Sequence, residues 1–96
     1  MTKLETDEER KFVKAAYDIG CKAIKFVDPA SRNAPDRMVL CPGGRVIFFE
    51  FKVPGKSSRR GQKKYQRGLE GMYFEVHEVT TCAHAMRLLK RFLCVS

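Results

Sequence analysis

Asp36, Glu50 and Lys52 are the residue types that phosphodiester hydrolysis around a hard divalent cation calls for. That reaction has three needs: charge neutralised on the non-bridging oxygens, a water activated, and the leaving alkoxide stabilised. Mg²⁺ held by a few carboxylates serves all three, because it polarises the phosphate and lowers the pKa of bound water. Asp36 and Glu50 are then the direct ligands, and the backbone carbonyl of Phe51 supplies a third oxygen. Lys52 orients the attacking water or stabilises developing negative charge. The plainer alternative makes Asp36 the start of a strand and Glu50/Lys52 a surface ion pair. Against it, Glu50 interrupts Val46-Ile47-Phe48-Phe49-Glu50-Phe51, a run apolar on both faces. Such strands are usually central and buried, where an unpaired carboxylate is costly.

A hairpin brings these residues together. Pro42-Gly43-Gly44 forms a turn between two apolar runs. If those residues are the loop, Cys41 pairs with Arg45 and Asp36 falls opposite Glu50, about 4.5–5.5 Å away. Glu50 and Lys52 are two apart on one strand and share a face.

The remaining elements follow from periodicity and punctuation. Thr6 to Ile19 reads as a helix, with Thr6 as N-cap, Glu9 at the capping-box position, and Phe12, Ala15, Ala16 and Ile19 as its apolar stripe. Gly20 ends it. Ala23–Val27 reads as a strand, 28–35 as a loop, and Asp36–Cys41 with Arg45–Val53 as the hairpin. After a second loop at 54–58, Arg59–Glu70 reads as a basic helix stopped by Gly71. Met72–Val79 reads as a strand and Thr81–Leu93 as the last helix. The order α-β-β-β-α-β-α predicts an α/β fold, a mixed sheet with helices packed on it, in one domain over residues 1–96.

The net charge is +8 on 96 residues, which points to a polyanionic partner, nucleic acid first. From Phe51 to Leu69 there are basic residues and no acidic ones. Lys56, Arg59, Arg60, Lys63, Lys64 and Arg67 are therefore the expected nucleic-acid contacts, against the alternative of a merely solvated helix face. No apolar run of about 18 residues is present, so no membrane span is expected. The N-terminus lacks an apolar signal core, so an intracellular protein is expected. Cys21, Cys41, Cys82 and Cys94 fit no zinc spacing and are expected to be reduced, mostly buried thiols. His77 and His84 have no ligand partners at suitable spacing and are expected to be structural. Tyr17, Tyr65 and Tyr73 are expected in the core or at its edge. Arg37 alternates away from Asp36 and is expected in a structural or DNA-backbone role.

The run Asn33-Ala-Pro-Asp-Arg-Met-Val-Leu40, then Gly43-Gly-Arg-Val-Ile-Phe-Phe-Glu-Phe-Lys-Val-Pro-Gly-Lys56, then Gln62, resembles the VRR-NUC family, the virus-type replication-repair branch of the PD-(D/E)XK nucleases. The likeness runs from Glu9 to the last strand and is greatest to short standalone phage members. Glu-x-Lys alone is a weak signal; its combination with Pro-Asp-Arg, Pro-Gly and a downstream Gln is far more specific. Two places depart from the family pattern, Ala34 before Pro35 and the Ser58-Arg-Arg-Gly-Gln62 stretch, and the second puts the loop path before Gln62 in question.

The resemblance implies a PD-(D/E)XK core using Mg²⁺ or Mn²⁺, with Asp36 and Glu50 as metal acids and Lys52 as the catalytic lysine. It adds Gln62 to the catalytic set. It also adds an early-helix glutamate that completes the site, often through a metal-bound water. Glu8 and Glu9 both border the apolar stripe; Glu9 is favoured by its distance from Gly20. The implied activity is a structure-specific DNA endonuclease in phage replication, repair or recombination, resembling a Holliday-junction resolvase. A homodimer would suit paired cuts. If the chain is phage-encoded, the host cytoplasm is its place. The alternatives are a non-catalytic nucleic-acid-binding accessory module, and a nuclease acting on flaps or plain duplex.

Overall fold

The computed structural model describes residues 5–94; the other residues of the expected 1–96 domain lie outside the described ones. The elements are α1 (Asp7–Asp18), β1 (Lys22–Lys25), β2 (Arg37–Cys41), β3 (Arg45–Phe51), α2 (Arg60–Gly71), β4 (Glu75–Val79) and α3 (Cys82–Cys94). This is the expected order. The sheet order is β1-β2-β3-β4, antiparallel through β3 and parallel between β3 and β4. A parallel pair needs a crossover, and α2 is that crossover.

The hairpin has the expected register, with Cys41 opposite Arg45 and Arg37 opposite Phe49. The turn works because Gly43 and Gly44 both adopt positive φ, +82° and +74°, a conformation that is nearly free for glycine. Alternation along β3 then sorts its side chains. Ile47, Phe49 and Phe51 join Phe12, Ala16, Val39, Val79, Ala85 and Leu89 in the core under α1 and α3. The rings of Phe12 and Phe49 meet edge-on at 4.9 Å. On the other face Phe48 packs against Phe26 and Phe74, beneath α2.

The ends of elements differ from expectation where caps consume residues. The strand expected at Met72–Val79 starts only at Glu75. Met72 to Phe74 instead close α2: the Tyr73 N–H donates to the Glu70 carbonyl at 2.9 Å and the Phe74 N–H to the Leu69 carbonyl at 3.1 Å. That is a Schellman closure, and it places Tyr73, rather than the expected Gly71, in the left-handed position, at φ +69°. α1 ends in the same way, there with Gly20 at φ +88°.

Two tyrosines correct the sequence reading. Tyr17 and Tyr73 are 75% and 98% exposed, not core. Tyr17 sits one position past Ala16 and so falls off the buried stripe; Tyr73 is carried outward by its left-handed turn. Tyr65 does lie at the core edge, its hydroxyl donating to Asp28 Oδ2 at 2.9 Å. His77 Nε2 lies 2.6 Å from Glu75 Oε2, two residues back on the same strand face. Cys21 and Cys41 are buried, Cys82 is half-buried and Cys94 exposed, all as free thiols. Among the described residues, no helix is long and apolar enough to cross a membrane.

Candidate active site

The hairpin's open end, α1 and the start of α2 meet around a cleft of about 670 Å³. Glu9, Asp36, Glu50 and Gln62 line it, and Lys25, Arg32 and Arg59 bring positive charge to it. Asp36 follows buried Pro35 and stands one pair beyond the last regular pair of the hairpin. It is hooked to β3 twice. Its N–H donates to Glu50 Oε1 at 3.1 Å, and its own Oδ2 accepts the Phe51 N–H at 2.8 Å. The strand end and the acids therefore position each other.

Glu50 is 2% exposed, and its burial is compensated by specific partners. Lys52 Nζ lies 3.3 Å from Glu50 Oε2, and Gln62 Nε2 donates to the same oxygen at 3.2 Å. Lys52 also donates to Gln62 Oε1 at 2.7 Å. Gln62 therefore bridges the acid and the lysine, using its acceptor for one and its donor for the other. Its Oε1 accepts the Arg59 N–H as well, at 3.1 Å, so the same side chain caps the first turn of α2. Spacing alone did not show that local role: Arg59 is an unusual N-cap, with no capping bond from its own side chain.

Glu8 and Glu9 have parted ways. Glu8 Oε1 accepts the Cys82 N–H at 2.8 Å, at the N-terminus of α3. That bond, with Lys11 beside it, holds the Glu8 carboxyl below its ordinary pKa. Glu9 is buried and lines the cleft. Its N–H is capped by Thr6 Oγ1 at 3.1 Å, as the capping box anticipated, but its carboxylate does not turn back to Thr6. Instead Glu9 Oε2 accepts from Arg37 Nε at 2.8 Å. Burial raises the pKa of Glu9 above its ordinary value and the charge of Asp36 adds to the rise, while Arg37 opposes it.

The structure thus brings Asp36, Glu50, Lys52 and Gln62 into one bonded network, with Phe51 tied to Asp36 and Glu9 facing the same cleft. The basic residues Lys56, Arg59, Arg60, Lys63, Lys64 and Arg67 are exposed along α2 and the loop before it. Sequence reasoning missed Lys25 and Arg32 on the cleft wall, which lie outside the one-sided charge run. It placed Arg37 on the far face but gave no sign of its partners. Among the described residues no three His, Cys, Asp or Glu side chains gather into a cation-binding group. The oxygens that converge are those of Asp36 and Glu50, a sparse hard set. Mg²⁺ commonly uses one or two carboxylates and fills its shell with water and substrate phosphate, so the donor chemistry fits.

No protein-family model matches the chain. A solved structure described as a VRR_NUC domain superposes with a TM-score of 0.74, covering 90% of this chain and 97% of that one at 22% identity. The chain has the fold of a VRR_NUC domain. Its four-stranded mixed sheet with three helices matches that fold. A sequence relative of this VRR_NUC-fold chain is "Putative nuclease p44" from Acyrthosiphon pisum secondary endosymbiont phage 1, 44% identical over 52 residues. That match spans 54% of this chain and 56% of the relative, so the chain covers little more than half the length of the relative it matches.

Proposed function

We propose that this chain, as one domain over residues 1–96, is a divalent-metal-dependent DNA endonuclease. The reading is carried by the Asp36–Glu50–Lys52–Gln62 network at the floor of a cleft with basic walls. Asp36, Glu50 and the Phe51 carbonyl would hold Mg²⁺ or Mn²⁺, with Glu9 contributing through a water. The ion would supply Lewis acidity toward the phosphate and lower the pKa of bound water. Lys52 places a fixed positive charge beside Glu50, where it can orient a water and offset charge developing on the phosphoryl oxygens. Gln62 keeps the Lys52 amine and the Glu50 carboxylate at a set separation. The exposed bases from Lys56 to Arg67 would follow the DNA backbone, so binding would weaken steeply with salt.

The substrate we propose is branched DNA, cut as by a Holliday-junction resolvase, with a homodimer making the paired incisions in the host cytoplasm during phage replication, repair or recombination. The test is cleavage of a labelled four-way junction, a flap and a linear duplex in Mg²⁺, Mn²⁺ and EDTA, by wild type and Lys52→Ala. Paired symmetrical junction cuts that need metal, and that fall about 10²–10³-fold in Lys52→Ala, are expected. Cutting of flaps or duplex instead keeps the chemistry and rejects the substrate. Binding without metal-dependent cutting of any of them would leave a non-catalytic accessory module.

A further inference from the structure

The nuclease chemistry proposed above makes no use of Arg37, yet Arg37 is 5% exposed and sits between two carboxylates. Its Nε donates to Glu9 Oε2 at 2.8 Å, and its Nη2 bonds Glu5 Oε2. Its neighbour across the hairpin is Phe49, so it lies on the α1 side of the sheet, one residue after Asp36. A buried Glu9–Arg37 pair with half-buried Glu5 beside it is a poor way to stabilise a core, since apolar residues of like volume do as well or better. The arrangement does something apolar residues cannot. The rigid guanidinium holds one oxygen of the Glu9 carboxylate through Nε while Nη2 holds Glu5. It commits Oε2 and leaves Oε1 as the oxygen that carboxylate can offer the cleft. Because Arg37 is covalently next to Asp36, the position of Glu9 on α1 is tied to the acid that immediately precedes β2. Glu5 anchors the far end of the fork.

We propose that Arg37 is a positioning residue for Glu9: it holds the Glu9 carboxylate at the cleft as its third acid, and it acts on metal affinity through Glu9. The proposal rests on the nuclease reading. Residues that orient an acid at a metal site typically change affinity about 10–100-fold when removed.

The test uses the full chain as wild type, Arg37→Lys, Arg37→Met, Glu9→Gln and the Arg37→Met/Glu9→Gln double variant. Two quantities are titrated with Mg²⁺ and Mn²⁺: the metal-induced rise in melting temperature, and the half-saturating metal concentration for DNA cleavage. The melting temperature in EDTA reports the fold separately. Both metal titrations should move about 10–100-fold to higher concentration in Arg37→Met. Arg37→Lys should recover only part of this, since it restores charge but not the fork. In the Glu9→Gln background, loss of Arg37 should move the titrations no further, because the interaction is already gone. If Arg37→Met fails to fold, Arg37→Lys and Glu5→Gln carry the same comparison. A lower melting temperature in EDTA with unchanged metal titrations would overturn the proposal and leave Arg37 a structural ion pair. Independent, additive effects of Arg37 and Glu9 would overturn it too. A wild type that shows neither metal stabilisation nor cleavage would instead sink the nuclease reading, and this proposal with it.

Discussion

Replacing Gln62 by Ala is the sharpest probe of how the site is built, because one side chain serves three partners there. The change removes a bond to Lys52 Nζ of 2.7 Å, one to Glu50 Oε2 of 3.2 Å and one to the Arg59 N–H of 3.1 Å. The first two involve charged groups, and bonds of that kind contribute about 1.5–3 kcal/mol each. Part is recovered, since Lys52 and Glu50 keep each other at 3.3 Å. Arg59 is itself exposed, so its N–H can take a water in exchange. Crediting roughly half as recovered leaves a loss of about 1.5–3 kcal/mol. For a domain near 100 residues each kcal/mol corresponds to about 4–8 °C, so the melting temperature should fall by roughly 6–24 °C. Urea denaturation followed by circular dichroism gives the free energy directly, with an unchanged m-value showing that only stability moved. A cost below about 0.5 kcal/mol would refute the reasoning, because it would mean that Glu50 and Lys52 hold their burial without the amide. Cleavage should fall more than stability does: with the protein kept below its new melting point, a rate equal to wild type would show that the bridge has no part in the chemistry.

Glu8→Gln should lower the melting temperature while leaving the metal titration of cleavage in place, since Glu8 caps α3; Glu9→Gln should shift that titration. The converse pattern would reverse the assignment of the two acids. Burial, with Cys21 beside it, pushes the Cys41 thiol up to about 12 from its ordinary 9.0. Iodoacetamide at pH 8 should therefore modify exposed Cys94 first and Cys41 last, read by peptide mass spectrometry. The folded chain keeps the Cys41 proton between about pH 9 and 12 where the unfolded chain gives it up, so stability should fall across that window. Tyr73→Gly should stabilise by about 0.5–1 kcal/mol, as relief of a left-handed non-glycine residue of about 1–2 outweighs glycine's entropic cost of about 0.5–1. A destabilised variant would mean that the 98% exposed ring contributes to the fold after all. Lys64→Ala, if that lysine meets a phosphate, should reduce the slope of log binding constant against log salt by about 0.9 and leave the half-saturating metal concentration unchanged.

The register that brings Asp36, Glu50 and Lys52 together was readable in the sequence because Pro42-Gly43-Gly44 admits few turn geometries, and the turn fixes every pair from Cys41 and Arg45 to Arg37 and Phe49. The extent of the strand before Val79 was not. Met72-Tyr73-Phe74 is apolar and looks like extended chain, yet its N–H groups are spent closing α2. Local pattern carries no mark of that choice when the left-handed residue is a tyrosine. Glu9 was favoured over Glu8 only by its distance from Gly20; the physical reason the two differ, the arrival of the N-terminus of α3 at Glu8 from 74 residues away, is not in the local pattern. Arg37 shows the limit of alternation: period two says which side a residue faces, and nothing about which helix will meet it there.

α2 is held to the sheet by little grease. Of its residues only Gln62 and Leu69 are buried, against Phe12 and Ala16 beside Glu9 on α1. One turn beyond Gln62, Gln66 donates to Glu78 at 2.8 Å, and Glu78 stands next to Glu50 on the adjacent strand. Two amides on one helix thus clasp two carboxylates on two strands. Polar clasps of this kind dictate how a helix is rotated and how far it slides, but they let go easily once water reaches them. Amide hydrogens of α2 should accordingly exchange sooner than those of α1, in a partial opening that leaves the Phe12–Phe49 core intact. In that opened form the basic helix would swing clear with Gln62, and the cleft would come apart before the protein unfolds.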